Sequence, residues 1–425
     1  MSKQGGRAVQ RLFVGCTLVF ATLAVSVFSA TVHSSEVKIQ IAVYADGGAH
    51  RAALRNIVSA YERRHAHIDL ELLAMRGIDD YNLKVENWMQ SGVGPDIVYW
   101  YGGQRLNQFV ETGAVRALDD IWYPAAMDKE FPLALRDTVF VEGGIYGIPI
   151  TYYYWALYYH EPSLKKLGIS VPQNWQQLLA SCRQLRKQNV DLFAIGSQTA
   201  WSTHAWFDYL NLRIHGLGFY RQVLAGRVAY TDERIKTVLR VWKQMFDEGC
   251  FNKNHASYNL WQSFPRLLHA QSALSLIDGV PQGINSAMRA DINIAPFPQI
   301  NPDLPLYTVA PVNVFMVPSY VQMSDELKQV LRWIAGKDFQ AVFNKPISRP
   351  AANRNAAASS DRLTRTMQMA IRNSPGGIQY LDRDTNFSFA KEVPAILVSF
   401  IVHLDVDQTA EQLEALRQQV FFNNK

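Results

Sequence analysis

Residues 94–103 read GPDIVYWYGG, in which a Gly-Pro turn precedes a run of apolar and aromatic residues that two glycines end. A short apolar run between turn residues is typical of a strand buried on both faces of a sheet. Upstream, residues 37–44 and 68–72 are strand-like, and residues 54–61 and 81–90 have the apolar spacing of amphipathic helices. Strands that alternate with helices predict βαβ units and a mostly parallel sheet, so we expect an α/β fold.

The loops that follow two of these strands indicate where a ligand would bind. Residues 46–48 (DGG) end the first strand, and residues 100–103 (WYGG) end the strand of the quoted segment. In open α/β sheets, ligands bind beyond the carboxyl ends of the strands, where loops supply side chains. The sequence therefore predicts a site at this edge of the sheet.

The chain continues into a second region of the same kind. After a tyrosine-rich run, helices are predicted at residues 175–186, 234–247 and 258–270, with Asn174 as the N-cap of the first helix. Residues 272–277 form a predicted buried strand, and the last part of the chain is predicted to be mainly helical. No low-complexity linker separates the two regions, which indicates that the chain passes back and forth between two lobes.

The first 35 residues have the charge order of a secretory signal peptide. Lys3, Arg7 and Arg11 precede an apolar run at residues 12–28, and small and polar residues follow it. The run is at the short edge of what spans a bilayer, and lipid attachment at Cys16 would leave too short an apolar segment before it. We therefore assign residues 1–35 to a signal peptide and expect the mature protein in the periplasm.

Composition and motifs exclude several classes of function. The chain has 42 basic and 37 acidic residues, and removal of the predicted leader leaves 39 basic residues, so the charge does not indicate a nucleic-acid partner. The sequence has no nucleophile elbow, phosphate-binding loop or paired-cysteine metal motif. We therefore predict no enzymatic activity, no cofactor and no metal.

Two cysteines, Cys182 and Cys250, follow the predicted leader. Their spacing does not fit a zinc site, and a disulfide-rich scaffold would need more cysteines. The alternatives are one disulfide, formed in an oxidising compartment, and two buried free thiols. The free thiols are the simpler interpretation.

Four segments carry a resemblance to a known family. They are GPDIV at 94–98, FVETGAVRALDD at 109–120, YGIP at 146–149 and VPQNWQQLL at 171–179. Each segment alone is weakly specific, but their order and spacing together are specific. On these segments the chain resembles the extracellular solute-binding proteins that include maltose-binding protein, the sugar-binding components of ATP-driven (ABC) importers.

The resemblance implies two α/β lobes joined by a hinge, with a ligand held in the cleft between them. The chain would cross the hinge three times, near residues 147–153, 278–282 and 319–323. The implied segments are 37–147 plus 281–320 for the first lobe and 148–280 plus 321–425 for the second.

In the first lobe, the resemblance points to Trp100, Tyr101 and Asp46 as ligand contacts. Trp100 stands at the strand end where relatives have a tryptophan that stacks on sugar, and Tyr101 is its neighbour. Asp46 follows the first strand, where relatives place a polar side chain that bonds hydroxyl groups. The alternatives are a tryptophan packed in the core and an aspartate in an ordinary Asp-Gly turn.

Five further candidates come from the second region. Thr151 and Tyr153 share one face if their segment is extended, because side chains alternate along a strand. Trp201 lies in a polar stretch where relatives supply an aromatic side chain. Asp278 ends a predicted strand at the second crossing, and Arg349 lies in a loop that returns to the cleft.

One departure from the family pattern bears on the size of the ligand. Many relatives have a glycine followed by an aromatic residue after this strand, but this chain has Gly279-Val280-Pro281. The missing ring argues against a long oligosaccharide. Phe387 and Phe389 in the helical tail are weaker candidates for another aromatic contact.

These observations predict a receptor that captures a mono- or short oligosaccharide and delivers it to an ABC importer. The expected partners are this small ligand and the permease subunits in the inner membrane, and we expect a monomer. One alternative is a ligand-sensing partner of a membrane kinase or chemoreceptor. The others are a receptor for a polyamine, held by Asp46, Asp208 and Asp278, and a receptor for ferric iron, held by tyrosine and carboxylate oxygens.

Overall fold

The computed structural model describes residues 37–281 and 283–422. The predicted signal peptide, with Cys16, lies outside the described residues. Within these two ranges, no helix combines the length and the apolar character that crossing a membrane requires.

Strands are concentrated before residue 317, and the last part of the described chain is mainly helical, as predicted. The strands are β1 (Val37–Tyr44), β2 (Ile68–Met75), β3 (Ile97–Tyr101), β4 (Phe140–Val141), β5 (Gly144–Ile145), β6 (Ile148–Tyr152), β7 (Ala156–His160), β8 (Asp191–Phe193), β9 (Ser272–Ile277), β10 (Ile292–Ala295), β11 (Thr308–Val309), β12 (Val312–Met316) and β13 (Gly377–Ile378). The α-helices are α1 (Gly48–Glu62), α2 (Ile78–Ser91), α3 (Gln104–Glu111), α4 (Asp119–Trp122), α5 (Leu133–Arg136), α6 (Glu161–Leu167), α7 (Trp175–Arg186), α8 (His204–Ile214), α9 (Gly216–Leu224), α10 (Glu233–Asp247), α11 (Leu260–Ser263), α12 (Pro265–Leu268), α13 (Ser286–Ala290), α14 (Asp325–Ala335), α15 (Lys337–Asn344), α16 (Arg362–Arg372), α17 (Leu381–Asp384), α18 (Phe387–His403) and α19 (Val406–Phe421).

The first sheet contains the parallel units predicted around the quoted segment. Its strand order is β2-β1-β3-β12-β6, and β1 runs parallel to both β2 and β3. β12 lies between β3 and β6 and runs antiparallel to both. All five residues of β3 are buried, as its apolar run predicts. Because β1 and β3 are parallel neighbours, the loops that follow them lie at the same edge of the sheet.

The second sheet has the strand order β10-β7-β9-β8. β8 runs parallel to β9, whereas β7 runs antiparallel to both β9 and β10. All six residues of β9 are buried, which agrees with the prediction of a buried strand at 272–277. The tyrosine-rich run therefore leads out of the first sheet through β6 and into the second through β7.

Buried apolar side chains form two cores, one around each sheet, which we call the first core and the second core. The chain passes from one core to the other within residues 150–153, 309–312 and 352–363. The first of these crossings lies where the resemblance implies it. The other two lie about 30 residues further along the chain than the implied positions.

The segments around each sheet accordingly differ from those that the sequence predicts. β6 belongs to the first sheet and β10 to the second, each opposite to its predicted lobe. α14 and α15 pack in the first core, although the sequence predicts them in the second lobe. The physical reason is that an apolar pattern identifies a strand or an amphipathic helix, whereas the sheet that it joins depends on partners far away in the sequence.

Cys182 and Cys250 form a disulfide, which corrects the interpretation as free thiols. Their Cα atoms are 4.8 Å apart, and both side chains are fully buried. Cys182 lies in α7, whereas Cys250 lies beside β8, where its carbonyl accepts a hydrogen bond from Phe193 N at 2.8 Å. The separation of 68 residues hides this proximity from the sequence.

Two local predictions in the second region have different outcomes. α7 begins at Trp175, and the side chain of Asn174 accepts a hydrogen bond from Gln177 N at 3.0 Å, so the predicted N-cap is confirmed. The single helix predicted at 258–270 is instead two short helices, α11 and α12. The second helix begins at Pro265, whose missing N–H prevents the first from continuing through it.

Candidate ligand-binding cleft

Three arginines and two tyrosines alternate where the two cores meet. They are, in spatial order, Arg349, Tyr153, Arg383, Tyr101 and Arg105, and we call them the arginine–tyrosine row. The Cζ atoms of Arg349 and Arg383 lie 4.0 Å and 5.3 Å from the ring centre of Tyr153. Those of Arg383 and Arg105 lie 4.3 Å and 5.4 Å from the ring centre of Tyr101. A guanidinium at such distances is attracted to the face of an aromatic ring.

Both cores contribute to the arginine–tyrosine row. Tyr101 is the last residue of β3, and Arg105 lies in α3, directly after it in the first core. Tyr153 is a second-core residue at the first crossing, and Arg383 lies in α17, whose Leu381 is also a second-core residue. Arg349 precedes the third crossing. The row therefore joins segments that are up to 282 residues apart in the chain.

Gly103 allows the two sides of the cleft to approach closely. Its φ is +69°, and a Cβ atom added there would lie 1.9 Å from Nε2 of Gln379. Only glycine avoids both the strained backbone conformation and this clash. The second glycine of the quoted segment therefore marks a contact between α3 and the segment that precedes α17.

Arg383 connects the second-core side of the cleft to the first sheet. Its guanidinium donates a hydrogen bond to Oδ1 of Asn313 at 2.7 Å and another to the hydroxyl of Tyr153. The amide of Asn313, in β12, donates in turn to the hydroxyl of Tyr99 in β3. Burial raises the pKa of Tyr99 to about 12, so this phenol stays protonated at neutral pH.

Arg349 forms an ion pair with Asp278 at the end of β9. Its Nη2 atom lies 2.9 Å from Oδ2 of Asp278, and its Nη1 atom donates to the Asp278 carbonyl at 2.7 Å. The Asp278 side chain is only 9% exposed, and its Oδ1 atom is buried without a partner among the described residues. One of the two carboxylate oxygens of Asp278 thus accepts no hydrogen bond from the described residues.

The tyrosine hydroxyls of the row are neutral hydrogen-bonding groups. Burial raises the pKa of Tyr101 and of Tyr153 above the ordinary value for a phenol. The Tyr101 hydroxyl donates to Oδ1 of Asn82 at 3.0 Å, whereas the Tyr153 hydroxyl accepts from Arg383. Each hydroxyl is therefore held in place by a neighbouring side chain, and each ring presents a face to a guanidinium.

Two of the predicted ligand residues pack behind the row. Trp100 is 1% exposed, and its indole N–H donates to the carbonyl of Arg105 at 2.9 Å, so it has the core position that was its alternative. Thr151 is also 1% exposed, and its hydroxyl donates to the Pro350 carbonyl at 3.3 Å. Trp100 therefore supports α3, and Thr151 supports the loop that carries Arg349.

Asp46 lies in the exposed loop after β1, at the edge of the sheet that the sequence predicts for the site. Its carboxylate accepts hydrogen bonds from the Tyr44 hydroxyl and from Gly77 N, the latter at 2.9 Å. Burial and the hydrogen bond to Asp46 raise the pKa of Tyr44. Asp46 thus connects the two strand-end loops of β1 and β2 and is not a member of the row.

Trp201 is the most exposed of the predicted aromatic residues, with 37% of its surface accessible. It packs edge-on against Trp155 at 6.1 Å and against Tyr380 at 6.4 Å between ring centres. Trp155 and Tyr380 stack on each other at 4.9 Å. Trp201 therefore belongs to an aromatic group of the second core that keeps one accessible ring.

Of the eight predicted site residues, four belong to the row or pair with one of its members, two pack behind the row, and Asp46 and Trp201 lie outside it. The first four are Tyr101, Tyr153, Asp278 and Arg349. Sequence reasoning missed Arg105, Arg383 and Asn313. Arg105 follows the quoted glycine pair by two residues, so the strand-end loop that predicted a site there could also have indicated Arg105. Arg383 and Asn313 carry no local signal, because only the fold brings α17 and β12 together.

A cavity of about 300 Å³ lies at the Arg349 end of the row. Its lining includes Asn344, Lys345 and Arg349 from the first-core side and Gln368 from α16, together with small residues of the third crossing. A larger cavity of about 480 Å³ lies between α1 and α14, and none of the predicted site residues lines it. We place the candidate site along the row, to which both cores contribute, and the smaller cavity adjoins the row through Arg349.

Comparison with known proteins identifies the family of the chain. The sequence profile of the bacterial extracellular solute-binding protein family matches residues 45–341. An uncharacterized ABC transporter extracellular-binding protein of Pyrococcus horikoshii is 22% identical over 306 residues, which are 70% of this chain and 67% of that protein. The family and this relative are both named as binding proteins.

Two solved structures have a similar fold. The bacterial solute receptor AcbH, which has an exclusive substrate preference for β-D-galactopyranose, superposes with a TM-score of 0.79 at 20% identity, over 90% of this chain and 100% of the receptor. A chitin oligosaccharide binding protein superposes with a TM-score of 0.78 at 16% identity, over 91% and 99% of the two chains. These likenesses confirm the two-lobed α/β fold. Because the family profile covers more than half of the sequence, this chain belongs to the bacterial extracellular solute-binding protein family.

Proposed function

We propose that this protein captures a mono- or short oligosaccharide between its lobes in the periplasm and delivers it to an ABC importer. The observation that carries the proposal is the arginine–tyrosine row, to which both cores contribute. Its guanidinium and hydroxyl groups suit the hydroxyl groups of a sugar. The sugar ligands of AcbH and of the chitin oligosaccharide receptor support the same class of ligand.

The proposed mechanism is closure of the lobes around the ligand. Three crossings form the hinge, and a ligand that contacts Arg349 on one side and Tyr153 on the other favours the closed arrangement. A ligand that contacts only one lobe has the same affinity for the open and closed forms, so it does not change the equilibrium between them. Closure is therefore the signal that the membrane permease subunits would recognise.

The charges of the row argue against the cationic alternatives. Three arginines lie along it, and Asp278 is already paired with Arg349, so a polyamine would meet repulsion. Ferric iron prefers phenolate oxygens, but burial raises the pKa of Tyr101 and Tyr153 and keeps both neutral. A neutral or anionic sugar fits these groups better.

A thermal-shift experiment on the mature protein tests the proposal. The panel contains neutral and acidic monosaccharides and disaccharides, spermidine and ferric citrate. A ligand present at a hundred times its Kd stabilises the folded protein by about 2.7 kcal/mol, which raises the melting temperature measurably. A shift with spermidine or iron and with no sugar would contradict the proposal. Uptake of the bound sugar by cells with and without the gene then separates transport from sensing.

A further inference from the structure

The three arginines of the row differ in their counterions. Arg349 is paired with Asp278 at 2.9 Å. Among residues 37–281 and 283–422, no carboxylate oxygen lies within 4.0 Å of a guanidinium nitrogen of Arg105 or Arg383. Arg383 instead bonds to two neutral groups, those of Asn313 and Tyr153.

Arg105 is the more unusual of the two. It is 8% exposed, and its Nε atom is buried without a hydrogen-bond partner among the described residues. Its Cζ atom lies 4.4 Å from the ring centre of Phe387, 5.4 Å from that of Tyr101 and 5.6 Å from that of Trp100. Rings offset only part of the cost of burying a cation, because they accept no strong hydrogen bonds.

The aspartates near the Arg105 end of the row do not act as its counterion. Asp384 accepts hydrogen bonds from the backbone and side chain of Gln379, and burial raises its pKa to about 6. Asp382 lies near Arg383, but its Oδ1 atom is buried without a partner in the described chain. The buried side-chain atoms without a partner in the described chain thus include Oδ1 of Asp278, Oδ1 of Asp382 and Nε of Arg105.

We propose that the ligand is an acidic sugar whose carboxylate binds Arg105 and Arg383 on either side of Tyr101. The sugar hydroxyls then donate to the free oxygens of Asp278 and Asp382. A carboxylate accepts paired hydrogen bonds from a guanidinium fork, and such charge-assisted bonds are stronger than those of a neutral hydroxyl. This inference rests on the proposed function, because it names the class of sugar that the same cleft takes.

Calorimetry with matched pairs of sugars tests the inference. D-galacturonate and D-glucuronate, alone and as disaccharides, are compared with galactose and glucose and their neutral disaccharides, which carry a hydroxymethyl group in place of the carboxylate. We expect an acidic member of the panel to bind at least tenfold more tightly than its neutral partner, because a neutral sugar leaves both guanidiniums without a counterion and offers the buried Arg105 no charged acceptor. Galactose 6-sulfate and galactose 6-phosphate form a separate arm.

Each other outcome overturns the inference in a distinguishable way. A neutral sugar that binds as tightly as its acidic partner overturns the acidic ligand and leaves the proposed function standing. Tenfold tighter binding of the sulfate or the phosphate ester than of the uronates overturns the assignment of a carboxylate as the acidic group of the ligand. A panel in which no sugar binds contradicts the proposed function as well.

Two variants locate the carboxylate. Arg105→Met and Arg383→Met remove a charge at similar side-chain length, and each should reduce the acidic-to-neutral preference at least tenfold. Arg240→Met is the matched control, because Arg240 lies on the exposed surface of α10 and pairs there with Glu233. Retention of the preference in both folded variants would overturn the assignment.

The melting temperature without ligand shows whether each variant folds. Arg383→Met removes two hydrogen bonds and is the variant at risk. Arg105→Met removes no side-chain hydrogen bond that the described residues make, so it keeps the test decisive. An equal loss of acidic and neutral sugar in folded Arg105→Met would show that Arg105 does not read the carboxylate.

Discussion

The two ends of the arginine–tyrosine row use the same residue type in different ways. Arg349 faces a carboxylate oxygen of Asp278 at 2.9 Å, whereas Arg105 faces aromatic rings, the nearest being that of Phe387. Both side chains are largely buried. The guanidinium of Arg349 thus has a charged partner within the protein, and removal of that partner would leave a buried charge uncompensated. On our proposal, the guanidinium of Arg105 finds its charged partner in the ligand.

The largest expected effect is that of Asp278→Ala. This change leaves the guanidinium of Arg349 buried without its counterion, which costs about 3 kcal/mol of unfolding free energy in comparable pairs. Urea denaturation measures the loss. The double variant Asp278→Ala, Arg349→Met should recover part of it, because it removes the stranded charge. A loss below about 1 kcal/mol in the single variant would mean that Arg349 contributes no more to the unfolding free energy than Arg105 does.

Removal of one hydroxyl from each tyrosine of the row should have a smaller and unequal effect. Tyr153→Phe removes an acceptor from the charged Arg383 and should cost about 2 kcal/mol, whereas Tyr101→Phe removes a neutral hydrogen bond to Asn82 and should cost about 1 kcal/mol. The two variants are matched controls, since each deletes a single oxygen from a buried ring. Equal losses of unfolding free energy in urea denaturation would contradict the expected difference between Tyr153 and Tyr101.

The smallest expected effect is that of Arg105→Met on the protein without ligand. We expect the unfolding free energy to change by less than about 1 kcal/mol, because the side chain gives up ring contacts but no ion pair. Arg349→Met should cost more, because it leaves the carboxylate of Asp278 buried alone. If Arg105→Met were the more destabilising of the two, Arg105 would be the structural arginine.

Local signals in the sequence were sufficient for many elements and for the family. The apolar run before Gly102 predicted the buried strand β3, and Asn174 predicted the start of α7. These predictions depend on side chains within one or two turns of each other, which the sequence shows directly. The four quoted segments identified the family, which the match over residues 45–341 confirms.

The features that the sequence did not predict depend on contacts between residues far apart in the chain. β10 has an ordinary strand pattern, and nothing in residues 292–295 tells whether it pairs with β7 or joins the first sheet. The disulfide between Cys182 and Cys250 and the contact of Arg383 with Asn313 depend on the same long-range packing. The predicted ligand roles of Asp46, Trp100, Thr151 and Trp201 stay predictions, to be tested by binding measurements on single variants.

The position of β12 has a consequence for the synthesis of the protein. This strand lies between β3 and β6, yet residues 312–316 are made long after both neighbours. Until then the nascent chain exposes an open edge on β3, and open edges invite pairing with other chains. The first core also needs α14 and α15 and the second needs α19, so neither lobe is contained in a contiguous fragment. The incomplete chain therefore stays open to aggregation until most of its length is available to fold.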